Sequence, residues 1–314
     1  MFGRRYDGVK VKDIDIIEKA GPYFMPQRND ATNYYAKEID CAPVDDFVRE
    51  QKKINGEFYS YTEILIAACM RMLYERPKTN RFINDCVIYQ RKKVWISITV
   101  KKSLTDNGEE VVLKMPFTGR ESLPEVKKIF REELARTCAT GAEVHETTKT
   151  AGFLTKLPNW LFKFAMWLVR FLDRHNCLPK SLINASPFHT SLFITDLRSI
   201  KLDKIYHHLY NFGTTSIFVA MGKVNQTPVA TKEGDIKIQK RMGFGFSLDD
   251  RICDGLYYKR SVDVMLKYFT NPSLMMERLP EPPLEGKDLK KQQKLEKKLA
   301  KKKAKEEKRN SKKK

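Results

Sequence analysis

The residues best suited to chemistry lie in one short stretch, 247–255, with the sequence SLDDRICDG. It holds two adjacent carboxylates, Asp249 and Asp250, and a third, Asp254, four residues after Asp250. A carboxylate with its reference pKa of about 4 is a weak base unless burial or a nearby negative charge raises that pKa. Asp249 is a source of such charge, although neighbours on a strand point to opposite faces. Asp250 is thus physically allowed as a general base, and the alternative is a structural ion pair with Arg251 or another cation.

Histidines are the other candidate bases, because an imidazole titrates near neutral pH. His189 and the adjacent pair His207 and His208 lie in the C-terminal half of the chain. Each is more often an ordinary core or surface residue than a catalytic one. We therefore treat these histidines as alternative candidate bases. Only the three-dimensional structure can show whether one of them lies at the site.

Composition places the chain among globular proteins of a reducing compartment. Hydrophobic residues make up 41% of its 314 residues, enough for a packed core. The six cysteines are scattered without a CxxC motif or a Cys/His cluster, so neither a disulfide framework nor a metal site is predicted. No stretch reaches the roughly 18 apolar residues of a membrane span, and the N-terminus lacks the apolar part of a signal peptide. The predicted location is the cytoplasm, free or peripheral at a membrane.

The net charge of +20 comes largely from the C-terminus. Residues 280–286 form a Pro-rich linker, and residues 287–314 hold 15 Lys and Arg against 4 Asp and Glu. Such a segment cannot bury enough apolar surface to fold alone. It predicts contact with an anionic membrane or a nucleic acid, or a merely solubilising tail, and no aromatic residue interleaves its lysines for base stacking.

The elements that must position these residues follow from periodicity and turn signals. Two capping-box patterns, Ser60 with Glu63 and Ser122 with Glu125, predict helices that end near Pro77 and residue 139. The triplet 106–108, Asp-Asn-Gly, predicts a hairpin turn. Further predicted helices are 44–53 and 255–270, and the predicted strands are 32–41, 88–91, 94–102, 110–117, 188–197, 214–224 and 236–250. This order predicts an α/β protein with a mixed sheet.

Residues 157–179 are the most apolar segment and predict a helix bracketed by Pro158 and Pro179. Lys163 and Arg170 interrupt it seven residues apart, on nearly one helical face. Two interpretations stay open. The helix belongs to the core or to a subunit interface, or it lies in the plane of a membrane, where basic residues beside tryptophans are typical.

The segment 246–275, FSLDDRICDGLYYKRSVDVMLKYFTNPSLM, resembles the C-terminal signature of the chloramphenicol acetyltransferase and dihydrolipoamide acyltransferase family, a strand ending in His-x-x-x-Asp-Gly followed by a helix. Three upstream segments resemble that family in the same order: 76–80 (RPKTN), 192–197 (LFITDL) and 216–222 (SIFVAMG). The resemblance covers residues 30–275. It implies a two-layer α/β (α+β) sandwich that forms trimers, with a domain over 1–279, a helical insertion at 157–179 and the linker and tail at 280–314.

The resemblance also implies roles. In the family the histidine accepts the proton of the attacking thiol or hydroxyl, and a strand hydroxyl stabilises the oxyanion. Here Asp250 stands at the histidine position, and Thr195 stands where the hydroxyl is expected. Asp254 and Gly255 match the rest of the motif and are expected to be structural, with Asp254 bonded to Arg251 or Arg28.

Two functions follow from the resemblance. The first is a CoA-dependent acyltransferase with a degenerate DxxxDG motif and an acyl-CoA substrate, working as a homotrimer without a metal. The second is a non-catalytic binding or scaffold protein with the same fold, tethered at a membrane, since the catalytic histidine is replaced. The resemblance implies a stand-alone variant, because no lipoyl-bearing segment precedes the domain.

Overall fold

The computed structural model describes residues 3–103, 105, 108–139, 158–231 and 233–281. Its helices are α1 (Ile16–Phe24), α2 (Ala42–Asn55), α3 (Tyr61–Glu75), α4 (Leu123–Ala139), α5 (Asn159–Arg174), α6 (Lys180–Ala185) and α7 (Gly255–Thr270). Its strands are β1 (Gly8–Lys10), β2 (Thr32–Asp40), β3 (Arg81–Asn84), β4 (Val87–Arg91), β5 (Val94–Lys101), β6 (Glu110–Phe117), β7 (Leu192–Asp196), β8 (Ile217–Ala230) and β9 (Ile236–Asp249). Short 3-10 helices cover Pro77–Asn80 and Pro272–Met275.

Six strands form the main sheet in the order β2-β9-β8-β7-β5-β6. The pairs β5 with β7 and β7 with β8 are parallel, and the other pairs are antiparallel. A smaller antiparallel sheet has the order β1-β4-β3. The mixed sheet agrees with the predicted class. The central strands β7 and β8 run parallel because the chain crosses over between them through residues 197–216.

The main core lies on the helical face of the large sheet. Residues 63–73 of α3 are all buried, because this helix packs against strands on one side and against α4 and α7 on the others. Ser60 accepts a hydrogen bond from the amide of Glu63, and the Glu63 carboxylate accepts one from the amide of Ser60, so the predicted capping box is present. Phe244 and Phe246 of β9 pack into the same core. Alternation then points the odd residues of β9 to the opposite face.

The opposite face is covered by the irregular segment between β7 and β8. Gly245 allows this segment to pass directly over β9, because a Cβ there would lie 2.1 Å from the carbonyl oxygen of Ile205. Gly222 faces the backbone of Lys204 in the same manner, and Gly243 faces the Lys204 side chain. In the Met-Gly-Phe-Gly-Phe run of β9, the large side chains therefore point toward the helices, and the glycines leave room for the covering segment on the other face.

We expect Gly245→Ala to destabilise the protein by about 1–3 kcal/mol, because the covering segment must move away from the new methyl group. Thermal unfolding should show a midpoint lowered by about 5 °C. Gly21→Ala in α1 is the matched control, since a Cβ there meets no atom within 4 Å. An unchanged midpoint for Gly245→Ala would contradict the close approach of the two layers.

Several other sequence predictions can be compared with the structure. The helix predicted within 157–179 is present as α5, and most of one face is exposed, so the helix is not part of the core of a single chain. The subunit-interface and in-plane membrane interpretations both stay predictions. The chain divides into one compact unit up to Arg278 and a second from Leu279. The turn at 106–107 and the tail from 282 lie outside the described residues. None of the helices in the described part of the chain has the length and hydropathy that a membrane crossing requires.

Candidate functional site

The stretch 247–255 lies where β9 leaves the sheet. The amide of Asp249, the last residue of β9, donates to the carbonyl of Ser216 at 2.9 Å. The amide of Asp250 donates to the carbonyl of Ala31 at 2.8 Å, so neighbouring strand ends hold both residues. Asp249 is fully buried, whereas Asp250 is half-buried. The two adjacent carboxylates therefore occupy different environments.

Asp249 is the counter-ion of two buried arginines. Arg251 donates to both of its carboxylate oxygens, from Nε and from an Nη atom, each at 2.8 Å. The Nε of Arg28 lies 3.4 Å from Oδ2 of the same carboxylate. Arg251 also donates to the carbonyls of Met25 and Pro26, at 2.9 and 3.2 Å, and so ties the segment after α1 to the end of β9. This network gives Asp249 a structural role.

Asp250 has no cationic partner among the described residues and accepts one hydrogen bond, from Nδ2 of Asn33 at 2.6 Å. The pairing of Asp250 with Arg251 considered above is therefore wrong, because Arg251 belongs to Asp249. Burial raises the pKa of the Asp250 carboxyl, the negative charge of Asp249 raises it further, and the bond from Asn33 opposes both. A higher pKa makes the ionised carboxylate a stronger base.

A cleft of about 530 Å³ opens beside Asp250. Its lining comes from α1 with its flanks and from the motif after β9: Asp15, Ile17, Glu18, Gly21, Met25, Asp250, Arg251, Cys253, Asp254 and Gly255. Glu18 is neutralised by Lys78 and Arg81, at 2.6 and 3.3 Å. Three other lining carboxylates have no ion-pair partner in the described part of the chain: Asp15, Asp250 and Asp254. The cleft is consequently acidic.

Asp254 has a different structural role from the one expected. Its side chain accepts the amide of Tyr257 at 2.9 Å and caps α7, while Gly255 is the first residue of that helix. The bond from the Tyr257 amide lowers the pKa of the Asp254 carboxyl. The expected bond to Arg28 or Arg251 is wrong, because both arginines face Asp249.

Thr195 lies far from Asp250 within one chain. It pairs with Ala220 of β8, which pairs with Gly245 of β9. Asp249 lies four positions after Gly245 on β9, a distance of about 13 Å along the strand. Thr195 and Asp250 therefore belong to different ends of the sheet, and the structure does not bring the two together in one chain.

The histidines considered as substitutes do not line this cleft. His189 is buried, and its ring nitrogens lie 2.7 Å from Oγ of Ser186 and 3.2 Å from Oδ2 of Asp173. Burial lowers the pKa of His189. His207 stacks on Phe218 on the covered face of the sheet. No group of three or more His, Cys, Asp or Glu able to hold a metal occurs among the residues described.

Sequence reasoning missed two contributors to the site. Helix α1 forms one wall of the cleft, and Asn33 orients Asp250. Asp15 followed by Ile16 and Ile17 is a helix-start signal, and the Asp15 side chain does accept the amide of Ile17 at 2.8 Å. For Asn33 the sequence carries no signal, because its partner is 217 residues away.

Residues 211–277 match the sequence model of the 2-oxoacid dehydrogenases acyltransferase (catalytic domain) family. This range contains Asp250, Asp254 and Gly255 but not Thr195. A search of curated protein sequences returned no match.

Solved structures of acyltransferases share the fold. A probable dihydrolipoamide acetyltransferase from Listeria monocytogenes is 13% identical, with a TM-score of 0.52 over 88% of this chain and 99% of that one. The cubic core of a pyruvate dehydrogenase multienzyme complex is 14% identical, with a TM-score of 0.52 over 85% and 94%. The dihydrolipoamide acetyltransferase of Azotobacter vinelandii, whose mechanism was studied at a serine, a histidine and an asparagine, is 13% identical, with the same TM-score and coverage. The predicted α/β (α+β) fold and the resemblance to this family are confirmed, whereas trimer formation and the Asp-for-His replacement stay predictions.

Proposed function

We propose, from this acyltransferase fold and its matching C-terminal segment, that the chain transfers an acyl group from a CoA thioester to an acceptor bound in the cleft. The observation that carries the proposal is the position of Asp250. It follows β9 and lies four residues before Asp254, where the resemblance places the catalytic base. Its side chain opens on a cleft large enough for a small acceptor.

The reaction needs one base and one oxyanion partner. The ionised Asp250 carboxylate accepts the proton of the acceptor as the acceptor atom attacks the thioester carbonyl carbon. The tetrahedral intermediate then collapses, the carbon–sulfur bond breaks, and the CoA thiolate takes the proton from Asp250, which returns to its ionised form. Atoms and charge balance without a metal or a redox partner.

Thr195 can act in this reaction only if a second copy of the chain supplies it. Within one chain it is too far from Asp250, so its role as the oxyanion partner requires a neighbouring subunit, as the homotrimer implied by the resemblance would provide. The surface beside the cleft supports such an assembly, since α1 exposes Ile16, Ile17 and Phe24. Exposed apolar groups of this kind are typical of subunit interfaces.

The charge of the cleft bears on the acceptor. Asp15, Asp250 and Asp254 line it, and the single lining arginine is already paired with Asp249. Uncompensated carboxylates disfavour an anionic acceptor. We therefore propose a cationic or neutral acceptor, an amine or an alcohol, rather than a carboxylate-bearing thiol.

The direct test is transfer from acetyl-CoA and longer acyl-CoAs to amine, hydroxyl and thiol acceptors, with acylated product and free CoA quantified by chromatography. We expect product with at least one amine or alcohol, and a lower rate with an acceptor that differs only by an added carboxylate. Absence of product with every acceptor class would contradict a catalytic role.

A second candidate, a non-catalytic binding or scaffold protein, is favoured by the hydrogen bond that engages Asp250 with Asn33. In that case the protein binds CoA or acyl-CoA without cleaving the thioester. Calorimetric titration with acyl-CoA, followed by recovery of intact thioester, would identify this function.

A further inference from the structure

Helix α5 carries a continuous aromatic stripe on its outer face. Trp160, Phe164 and Trp167 are 71%, 53% and 56% exposed, and Leu168 and Phe171 are about 40% exposed. Three of the rings stack along the helix, Phe164 on Trp167 and Trp167 on Phe171, with centroids 5.7 and 5.5 Å apart. A folded surface rarely exposes large aromatic rings in an unbroken row. Such a stripe is typical of a contact surface.

The charges of this face all have one sign. Lys163, Arg170 and Arg174 are exposed on one flank of the stripe, and Lys163 and Arg170 have no ion-pair partner among the described residues. The one acidic residue of α5, Asp173, is buried on the opposite side. The exposed face thus consists of aromatic and aliphatic rows bordered by cations.

The C-terminal turn of α5 is anchored to other described parts of the chain. Asp173 pairs with Arg5 and His189, and Asn84 donates to the carbonyl of Asp173 at 2.9 Å. Arg174 pairs with Asp85 at 2.5 Å. These contacts anchor the last turn of α5, while the aromatic rings along the rest of the helix stay exposed.

We propose that the exposed face of α5 inserts into the headgroup layer of an anionic lipid bilayer, with the helix parallel to the membrane plane. Rings at this depth bury apolar surface while lysine and arginine side chains extend to lipid phosphates. Residues 287–314, with 15 basic and 4 acidic side chains, add long-range electrostatic attraction between the protein and the anionic bilayer. This inference does not depend on the acyl transfer proposed above.

Flotation of the full chain with lipid vesicles tests the proposal. We expect binding to phosphatidylcholine vesicles that contain phosphatidylglycerol, much weaker binding to phosphatidylcholine alone, and a blue shift of tryptophan emission on binding. The combined variant Trp160→Ala and Trp167→Ala should bind at least about 10-fold more weakly. Its matched control is Ile236→Ala with Ile238→Ala, which removes two exposed apolar side chains from β9 and should bind like the parent.

Two double variants with the same change in net charge distinguish a specific contribution of α5 from a general effect of the protein's charge on membrane binding. Lys163→Glu with Arg170→Glu and Lys52→Glu with Lys53→Glu change the net charge equally, the second pair on α2. Weaker binding for the first pair than for the second supports the proposal. The proposal is overturned if the two charge-reversal pairs bind equally, or if the double tryptophan variant binds vesicles like the parent. It is also overturned if the double tryptophan variant changes its oligomer mass in the absence of vesicles, because the stripe then contacts a second copy of the chain.

Discussion

Asp250→Ala should lower the rate of acyl transfer by about 100-fold or more, because it removes the general base while leaving the cleft open. The same variant should stay folded, since the Asp250 side chain is half-buried and bonds only to the exposed Asn33. The measurement is kcat/KM with the best acyl-CoA and acceptor pair found for the parent. Circular dichroism of both proteins checks the fold.

The pH profile distinguishes a base from a merely structural carboxylate. Only the ionised form of Asp250 accepts a proton, so kcat/KM should rise with pH through a pKa above 3.8 and then level off.

The effect of Asp250 ionisation on the free energy of unfolding has the opposite sign to that of an aspartate whose pKa is lowered by folding. Folding raises this pKa, so the ionised group opposes folding at neutral pH, and Asp250→Asn should match or slightly exceed the parent there, with the difference vanishing below pH 3.8.

Two controls sharpen the experiment. Asp15→Asn removes another carboxylate from the cleft without removing the base, and should keep most of the activity. Asp250→His restores the residue type that the resemblance places at this position. Full activity of Asp250→Ala would rule out this residue as the base, whereas an inert parent activated by Asp250→His would favour the non-catalytic binding function.

Asp173→Ala should destabilise the protein by about 3–5 kcal/mol, the largest stability effect that we expect. The substitution leaves the buried Arg5 guanidinium with one carboxylate, Asp7, and leaves His189 without its acceptor. Chemical denaturation should show the loss in the midpoint. Asp46→Ala is the control: its pair with Arg49 is largely exposed, and its removal should cost less than about 1 kcal/mol.

Acid titration gives an independent check on the same residue. Burial by itself would raise the pKa of Asp173, but the hydrogen bond with His189 and the charge of Arg5 lower it to about 2. The folded pKa is below the unfolded value of 3.8, so this stabilisation is complete above about pH 4 and is lost as the pH falls toward 2. The parent and Asp173→Ala should therefore converge in stability in that interval. A constant difference down to pH 2 would assign the stabilisation to packing instead.

Much of the architecture was predictable from local patterns. The capping residues Ser60 and Ser122, the alternation of β9 and the bounds of α7 agree with the structure, because each depends on residues within one or two turns or on a period of two. The resemblance supplied the order of the segments. Strands β1 and β3 were missed because they are short, and α1 was missed because Gly21 and Pro22 interrupt its helical pattern.

The candidate site was only half determined by the sequence. Its amino acids placed Asp250, Asp254 and Gly255 at one strand end, because these residues are neighbours along the chain. Tertiary structure alone decided that Asp249, not Asp254, binds the arginines, that Asn33 orients Asp250, and that Thr195 lies at another level of the sheet. The tertiary structure also decided that the aromatic stripe on α5 is exposed, since an amphipathic sequence specifies an apolar helix face but not what packs against that face. These outcomes depend on contacts between residues far apart in the chain, which no local period or spacing records.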